Sequence, residues 1–183
     1  MKKTTILLVI IVLAALYVWS SYNSFVGANE AVDKQWAQVE TQYQRRFDLI
    51  PNLVESVKGI MNQEQKIFGD LAEARTRYSG ASSVGDKVSA ANQVESALSR
   101  LLVILENYPT LKSAENVQTL MAQLEGSENR ISVERQRFND DVRSLNVKVK
   151  KFPGNIIASI FGFDEREYFE SEEGAEDAPE VKF

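Results

Sequence analysis

Residues 117–150 read VQTLMAQLEGSENRISVERQRFNDDVRSLNVKVK, and a mainly apolar stripe runs through them at alternating intervals of three and four residues. This spacing places the stripe on one face of an α-helix, with a period close to that of coiled-coil packing. The stripe continues unbroken from Val117 to Val149, so the pattern predicts a single helix from about Thr110 to Lys151. Such a helix is roughly 60 Å long at 1.5 Å per residue. This length is large for a compact bundle.

Three further stripes with the same spacing precede it, over residues 32–50, 53–78 and 94–108. Pro51 separates the first two, and we interpret it as a turn; as a kink it would leave one long helix instead. The residues YSGASSVGD, at 78–86, predict a connecting loop with Asp86 as the N-cap of the next helix. We therefore expect an all-α fold: an N-terminal transmembrane helix followed by an elongated antiparallel four-helix bundle with coiled-coil-like packing, over residues 28–152.

The N-terminal segment is built to enter a bilayer. Lys2 and Lys3 precede an apolar run, and 22 uncharged residues extend from Thr4 to Phe25. A span needs about 20 residues, whereas a cleaved signal has a shorter apolar core, which leaves both interpretations open. We favour a retained single-pass anchor over residues 1–27, which can continue into the first bundle helix. Its membrane-contacting residues are expected to be Ile6, Leu7, Leu8, Val9, Ile10, Ile11, Val12, Leu13, Leu16 and Trp19.

The charges on either side of this segment predict its orientation. Lys2 and Lys3 precede it, whereas Glu30, Asp33 and Lys34 follow it. Because positive residues stay on the cytoplasmic side, we expect the N-terminus in the cytoplasm and the bundle outside it. The predicted location is the bacterial cytoplasmic (inner) membrane.

The composition excludes several classes of chemistry. The chain of 183 residues has no cysteine and no histidine, so a disulfide framework, a thiolate nucleophile, a Cys/His zinc site and a Ser-His-Asp triad are absent. We find no nucleophile with a neighbouring base and no phosphate-binding glycine loop. We expect no enzyme, cofactor, metal or small-molecule substrate.

The net charge of −5 is concentrated in the tail. Residues 164–183 hold nine acidic and two basic residues, which leaves +2 on residues 1–163. Nucleic-acid binding needs a concentrated basic face, and the basic residues here alternate with acidic ones, so we expect no nucleic-acid partner.

One carboxylate stands out within an apolar stripe. Glu64 occupies a seam position of the second stripe, where a charge is costly to bury unless it is paired. It either fixes the helix register as a lone polar residue or joins a buried network with Glu128 or Glu134 and an arginine such as Arg46 or Arg135. A divalent-metal site formed by Glu64, Glu128 and Glu134 is a third alternative.

The C-terminal region, residues 153–183, combines an apolar segment with the acidic tail. Ile156, Ile157, Ile160, Phe161 and Phe163 are expected to dock as a cap over the end of the bundle. The alternative is a segment that lies on the membrane surface.

Four motifs together resemble the LemA family of bacterial membrane-anchored proteins. They are YNSFV at 22–26, VDKQWAQVETQYQRRFDLIPNLVESVKG at 32–59, ILENYPTLKSAENVQTLMAQLEGSENRISVERQRFND at 104–140 and FPGNIIASIFGF at 152–163. The resemblance covers about Tyr22–Phe169. It implies an N-terminal hydrophobic segment, a helical bundle and links to envelope stress and membrane organisation, including a relative in magnetosome formation, but no particular activity. The family often has aromatic-Ala-x-His-Glu where this chain has IMNQE, so Gln63 stands at the histidine position and no imidazole role carries over.

The function expected from these observations is a non-enzymatic, membrane-anchored scaffold or adaptor of the cell envelope. It would act through contacts with an envelope protein partner and through homo-oligomerisation, because long apolar seams favour self-association. The first alternative is a self-assembling structural protein that organises or shapes membrane. A carboxylate-dependent enzyme or metal-binding sensor is a weaker alternative.

Overall fold

Every regular element is an α-helix within residues 2–59 and 65–169, the part of the chain that the computed structural model describes. The helices are α1 (Lys2–Lys58), α2 (Gln65–Gly80), α3 (Val84–Leu105), α4 (Pro109–Lys112), α5 (Glu115–Lys150) and α6 (Gly154–Phe161). The all-α prediction is confirmed for these residues. The finer expectation of a four-helix bundle stays a prediction.

The chain divides into two compact units, and both α1 and α5 contribute to each of them. We call the first the anchor unit; its described residues are 2–39 and 134–168. The second is the core unit, with described residues 40–59, 65–133 and 169.

Pro51 lies inside α1 and does not turn the chain, so that interpretation is wrong. Proline lacks the backbone N–H that would bond to the carbonyl four residues earlier, which costs about 3 kcal/mol in a helix interior. Pro51 itself is exposed, whereas Ile50, Leu53 and Val57 on the opposite face are buried. Burial of each large apolar side chain is worth about 1.5–3 kcal/mol, which is enough for the helix to continue to Lys58.

The predicted second segment, residues 53–78, is divided between two helices. Its beginning belongs to α1, and the rest forms α2 from Gln65 onward. Glu64 and Gln63 fall in residues 60–64, outside the described residues.

Ser83, not Asp86, caps α3. The Ser83 hydroxyl accepts a hydrogen bond from the backbone N–H of Asp86 (3.0 Å) and donates one to the Asp86 carboxylate (2.7 Å). Asp86 is the third residue of the helix, where a carboxylate also faces the positive end of the helix dipole.

The long C-terminal helix is shorter than the sequence predicts. A four-residue helix, α4, begins at Pro109, and α5 begins only at Glu115. Between them the N–H of Ala114 bonds to the carbonyl of Leu111, three residues back, which tightens the turn and interrupts the α-helical ladder. Leu111 is buried, so α4 is held in place by packing.

Within the anchor unit, α1 and α5 run antiparallel. Gln35 contacts Glu134, and Trp36 packs on Phe138 with ring centroids 5.3 Å apart. Further along, the ammonium of Lys148 donates to the hydroxyl of Ser24 at 3.0 Å.

The C-terminal segment folds back onto this helix pair. Ile157 and Ala158 of α6 are buried, and Gly162, with φ +72°, ends the helix in the left-handed region that favours glycine. The chain then passes α5, where the side chain of Asn146 exchanges two hydrogen bonds of 2.8 Å with the backbone of Arg166. One face of α6 is therefore docked, whereas Ile156, Ile160 and Phe161, which were expected to dock as part of a cap, stay exposed.

Candidate functional site

The N-terminal part of α1 is apolar on all sides and uncovered. The ten residues expected to contact the membrane, from Ile6 to Trp19, are 52% to 67% exposed. Within the described residues α1 is the one helix that is long and apolar enough to cross a membrane, judged by length and composition. Each large side chain left in water forgoes about 1.5–3 kcal/mol of burial energy, so this surface needs an apolar environment.

A buried arginine forms the polar centre of the core unit. Arg46 of α1 is only 6% exposed, and its guanidinium pairs with the carboxylate of Glu128 on α5. The same Nη1 lies 3.7 Å from the Glu95 carboxylate on α3, which in turn accepts a hydrogen bond of 3.0 Å from the Tyr43 hydroxyl. We call Arg46, Glu128, Glu95 and Tyr43 the Arg46 cluster; it links three helices.

The energetics of the Arg46 cluster favour a role in alignment. A guanidinium cannot be deprotonated in a protein, so a buried arginine must meet a carboxylate or lose several kcal/mol. Its Nε atom is buried without a hydrogen-bond partner among the described residues, which adds to the cost. A pair of this kind is therefore selective for one arrangement of helices rather than a large source of stability.

Two members of this cluster were missed by the sequence analysis. Glu95 follows Val94 directly and so lies beside the apolar stripe of its helix instead of in it. Tyr43 lies in the apolar stripe over residues 32–50, which indicates that its ring is buried but gives no sign of a partner for its hydroxyl. One feature of the sequence does indicate a buried polar cluster. Arg46 lies three residues after Tyr43 and next to Phe47, which places it on the buried face of α1, where its charge needs partners.

Glu134 and Arg135 lie in the anchor unit and do not belong to the Arg46 cluster. The Glu134 carboxylate accepts hydrogen bonds from Gln35 (2.6 Å) and Arg137 (2.8 Å). Arg135 is half-buried and has an interaction of its own. The structure thus brings Arg46 and Glu128 together and places Glu134 elsewhere, while Glu64 lies outside the described residues.

The carboxylates of residues 2–59 and 65–169 do not assemble into a metal-binding group. No set of three or more acidic side chains converges in this part of the chain. The carboxylates of Glu128 and Glu134, two of the three candidate ligands, are directed at cationic or amide partners.

Tyr78 is a buried ionisable group beside the Arg46 cluster. Its ring packs on Tyr43 and Phe47 with centroids 5.5 and 4.7 Å apart. Its hydroxyl is buried and finds no hydrogen-bond partner among the residues described. Burial raises the pKa of Tyr78 well above its ordinary value, and the negative charge of Glu40 raises it further.

A surface groove lies where α2 and α3 meet, lined on its polar side by Arg77, Asp86 and Gln93. These groups already have partners. Arg77 pairs with Glu73 (2.6 Å) and bonds to Gln93 (3.2 Å), and Asp86 accepts from the cap Ser83. The groove is open to solvent and offers no activated nucleophile or base.

Comparison with known proteins gives one consistent result. Residues 35–183 match the family model described as the LemA family. The chain is 30% identical over 184 residues to the magnetosome protein MamQ of Magnetospirillum gryphiswaldense and 29% identical to the magnetosome protein MamQ 2 of Paramagnetospirillum magneticum. Each of these matches covers 86% of this chain and 67% of the relative.

Proposed function

Because this chain belongs to the LemA family, we propose that it is a non-enzymatic, single-pass membrane protein whose helical units act as a scaffold or adaptor of the bacterial cell envelope. The observation that carries the proposal is the uncovered apolar helix, which continues without a break into both compact units. A helix that leaves the bilayer and becomes part of the folded units holds them at the membrane surface.

The absence of histidine and cysteine supports a non-enzymatic role, because these two residues carry much of general-base, nucleophilic and zinc chemistry. The best-defined polar constellation, the Arg46 cluster, links helices to one another. The cluster therefore favours one fixed alignment of these helices, and a surface that binds other proteins benefits from such rigidity.

The proposed location is the cytoplasmic membrane, with the N-terminus inside and the helical units outside the cytoplasm. This orientation rests on Lys2 and Lys3 before the apolar helix and on the acidic residues Glu30 and Asp33 after it.

Membrane fractionation of the full-length protein with alkaline carbonate extraction tests the anchor. We expect the intact chain to stay in the membrane pellet. Leu13→Arg should shift it toward the soluble fraction, since an arginine at a helix centre costs about 2.5–3.5 kcal/mol of insertion energy. The matched control is Val103→Arg on α3, an equally exposed valine outside the apolar helix, which should leave the distribution unchanged.

Intact-mass spectrometry of the same pellet distinguishes an anchor from a cleaved signal. A mass that includes residues 1–27 is expected. A shortened chain in the soluble fraction would contradict the proposal.

A second candidate function is a self-assembling structural protein that organises membrane. It is favoured by the relatives named as magnetosome proteins. Light scattering with mass spectrometry on gently extracted protein separates the two. An assembly of this chain alone would favour the structural protein, and a stoichiometric second protein would favour the adaptor.

A further inference from the structure

Phe152 and helix α6 present an exposed apolar face. Phe152 and Ile160 are 73% and 70% exposed, and Ile156 and Phe161 are also exposed. The opposite face, with Ile157 and Ala158, is buried. The helix sequence, GNIIASIF, contains no charged residue. A concentrated apolar surface of this kind marks a site of contact with something other than water.

Aromatic contacts within the anchor unit fix the position of α6 along α1. The Phe161 ring centroid lies 5.0 Å from that of Tyr22, and Phe163 stacks on Phe25 at 5.1 Å. At the other end of α6, a Cβ on Gly154 would lie 3.4 Å from the Phe25 ring. Both ends of α6 are therefore beside residues 22–25 of α1.

Residues 22–25 also mark the end of the uncharged segment. The 22 residues from Thr4 to Phe25 extend about 33 Å as a helix, close to the roughly 30 Å of a bilayer's hydrocarbon core. When this segment spans a bilayer, Tyr22 and Phe25 lie at its boundary, and α6 lies at the same depth. Trp19 and Tyr22 are placed as interfacial aromatic residues usually are.

Basic residues flank the exposed face. Lys148, Lys150 and Lys151 end α5 and the turn after it, directly before Phe152, and all three are exposed. Glu165 pairs with Lys150 at 2.6 Å and offsets one of these charges. Lysines beside an interfacial apolar face favour contact with anionic lipid headgroups, whereas the acidic residues that follow α6 oppose it, so the proposal depends on the apolar face and not on charge.

We propose that Phe152 and α6 form a second membrane contact, in which the exposed face of Phe152, Ile156, Ile160 and Phe161 inserts into the boundary between headgroups and acyl chains. The proposal rests on the proposed anchoring by α1. Lipid is the expected occupant because the face adjoins the end of the apolar helix and lies at the same depth as its interfacial aromatic residues. The contact would hold the anchor unit in one orientation at the membrane surface.

Site-directed spin labelling of the full-length chain in lipid nanodiscs tests this directly. The chain has no cysteine, so each variant carries one label. The positions are Ile160→Cys on α6, Leu13→Cys in the apolar helix and Val103→Cys on α3, all exposed. Nanodiscs of phosphatidylcholine and phosphatidylglycerol are used, and accessibility to oxygen, which concentrates in lipid, is compared with accessibility to a water-soluble nickel chelate.

We expect the Ile160 label to resemble the Leu13 label, with a several-fold higher ratio of oxygen to nickel accessibility than the Val103 label. Ile156→Cys should give the same result and serves as a second position on the same face. Circular dichroism verifies that each variant keeps its helical content.

The outcomes separate the two proposals. A Leu13 label in lipid together with Ile160 and Ile156 labels in water would overturn the second contact and leave the anchor intact. A Leu13 label in water would overturn the anchoring itself. Labels on α6 shielded from both reagents would also contradict lipid contact, and spin-spin broadening would then assign the face to a second copy of the chain.

Discussion

Arg46 illustrates how a single buried charge constrains the core unit. Its guanidinium is paired with Glu128, whose side chain is 41% exposed, so solvent weakens the interaction relative to a fully buried pair. We predict that Glu128→Gln lowers the free energy of unfolding by about 1–2 kcal/mol, less than the 3–5 kcal/mol expected for a fully buried pair. Urea unfolding of the full-length protein in detergent, followed by circular dichroism, measures the change.

The matched control for this prediction is Glu73→Gln. Glu73 pairs with Arg77 at 2.6 Å, but both side chains are largely exposed. Its loss should change stability by only about 0.3–0.5 kcal/mol. Equal effects at the two positions would show that Arg46 has no special dependence on its partner.

The stability of the protein should respond differently to loss of the hydroxyl at the two neighbouring tyrosines, Tyr43 and Tyr78. The Tyr43 hydroxyl donates to Glu95, so Tyr43→Phe is expected to cost about 1–3 kcal/mol. The Tyr78 hydroxyl has no such partner among the described residues, so Tyr78→Phe should be neutral or stabilising near pH 7. Unfolding of both variants in parallel measures the difference, and a large loss in Tyr78→Phe would contradict it.

The raised pKa of Tyr78 also predicts an alkaline loss of stability. The unfolded chain releases this proton near the ordinary pKa of 10.0, whereas the folded protein keeps it to higher pH. The contribution of Tyr78 to the free energy of unfolding is therefore intact below pH 10. Above pH 10 it falls, by at most about 1.4 kcal/mol per pH unit. Tyr78→Phe should unfold at a higher urea concentration than the wild type above pH 10. A difference between the two urea midpoints that stays the same from pH 7 to above pH 10 would contradict this.

At the scale of the element, Pro51 makes α1 weaker than it could be. Pro51→Ala restores a backbone N–H at an exposed position and should stabilise the protein by about 1–3 kcal/mol. Asn52→Ala, at the adjacent exposed position, is the control and should gain at most about 0.7 kcal/mol from helix propensity. Thermal unfolding of both variants measures the difference; a loss in Pro51→Ala would mean that the core unit needs the distortion.

The helices could be predicted largely from the sequence, because burial dictates the period of three and four residues. Val32, Val39, Tyr43 and Phe47 of the first stripe are all buried. The error at Pro51 has a physical reason: a local rule predicts a break, while the burial of three side chains around it favours continuation.

Helix ends were harder to predict than helix faces. Serine and aspartate are both preferred N-cap residues, so the sequence alone does not decide between Ser83 and Asp86; the hydrogen bond from the Asp86 N–H to the Ser83 hydroxyl identifies Ser83 as the cap of α3. Likewise, Arg46 and Glu128 are 82 residues apart in the chain, and only the fold brings them together. The apolar segment is different, because a helix that is apolar on every side can be recognised from composition without knowledge of any partner.

At the scale of the molecule, the positions of the charges along the chain have more influence on the membrane orientation than the net charge has. Residues 1–163 carry a net charge of +2, and the remaining residues carry the acidic excess. For a membrane protein the orientation depends on the few positive charges nearest the span, not on the net charge of the chain. In the proposed orientation, Lys2 and Lys3 are therefore expected to decide on which side of the membrane the folded part lies.

We predict that Lys2→Glu with Lys3→Glu reverses or abolishes the proposed orientation, because two positive charges that hold the N-terminus in the cytoplasm are then replaced by negative ones. Alkaline phosphatase, which becomes active only outside the cytoplasm because it needs disulfides, is fused after Phe183 and compared with a green fluorescent protein fusion at the same position. The wild-type fusion should be phosphatase-active, and the double variant should lose most of that activity at equal abundance.

Lys34→Glu is the control, since it removes a positive charge from the opposite side and should preserve or increase activity. A wild-type chain that is inactive as the phosphatase fusion and fluorescent as the other would place the helical units in the cytoplasm and contradict the orientation.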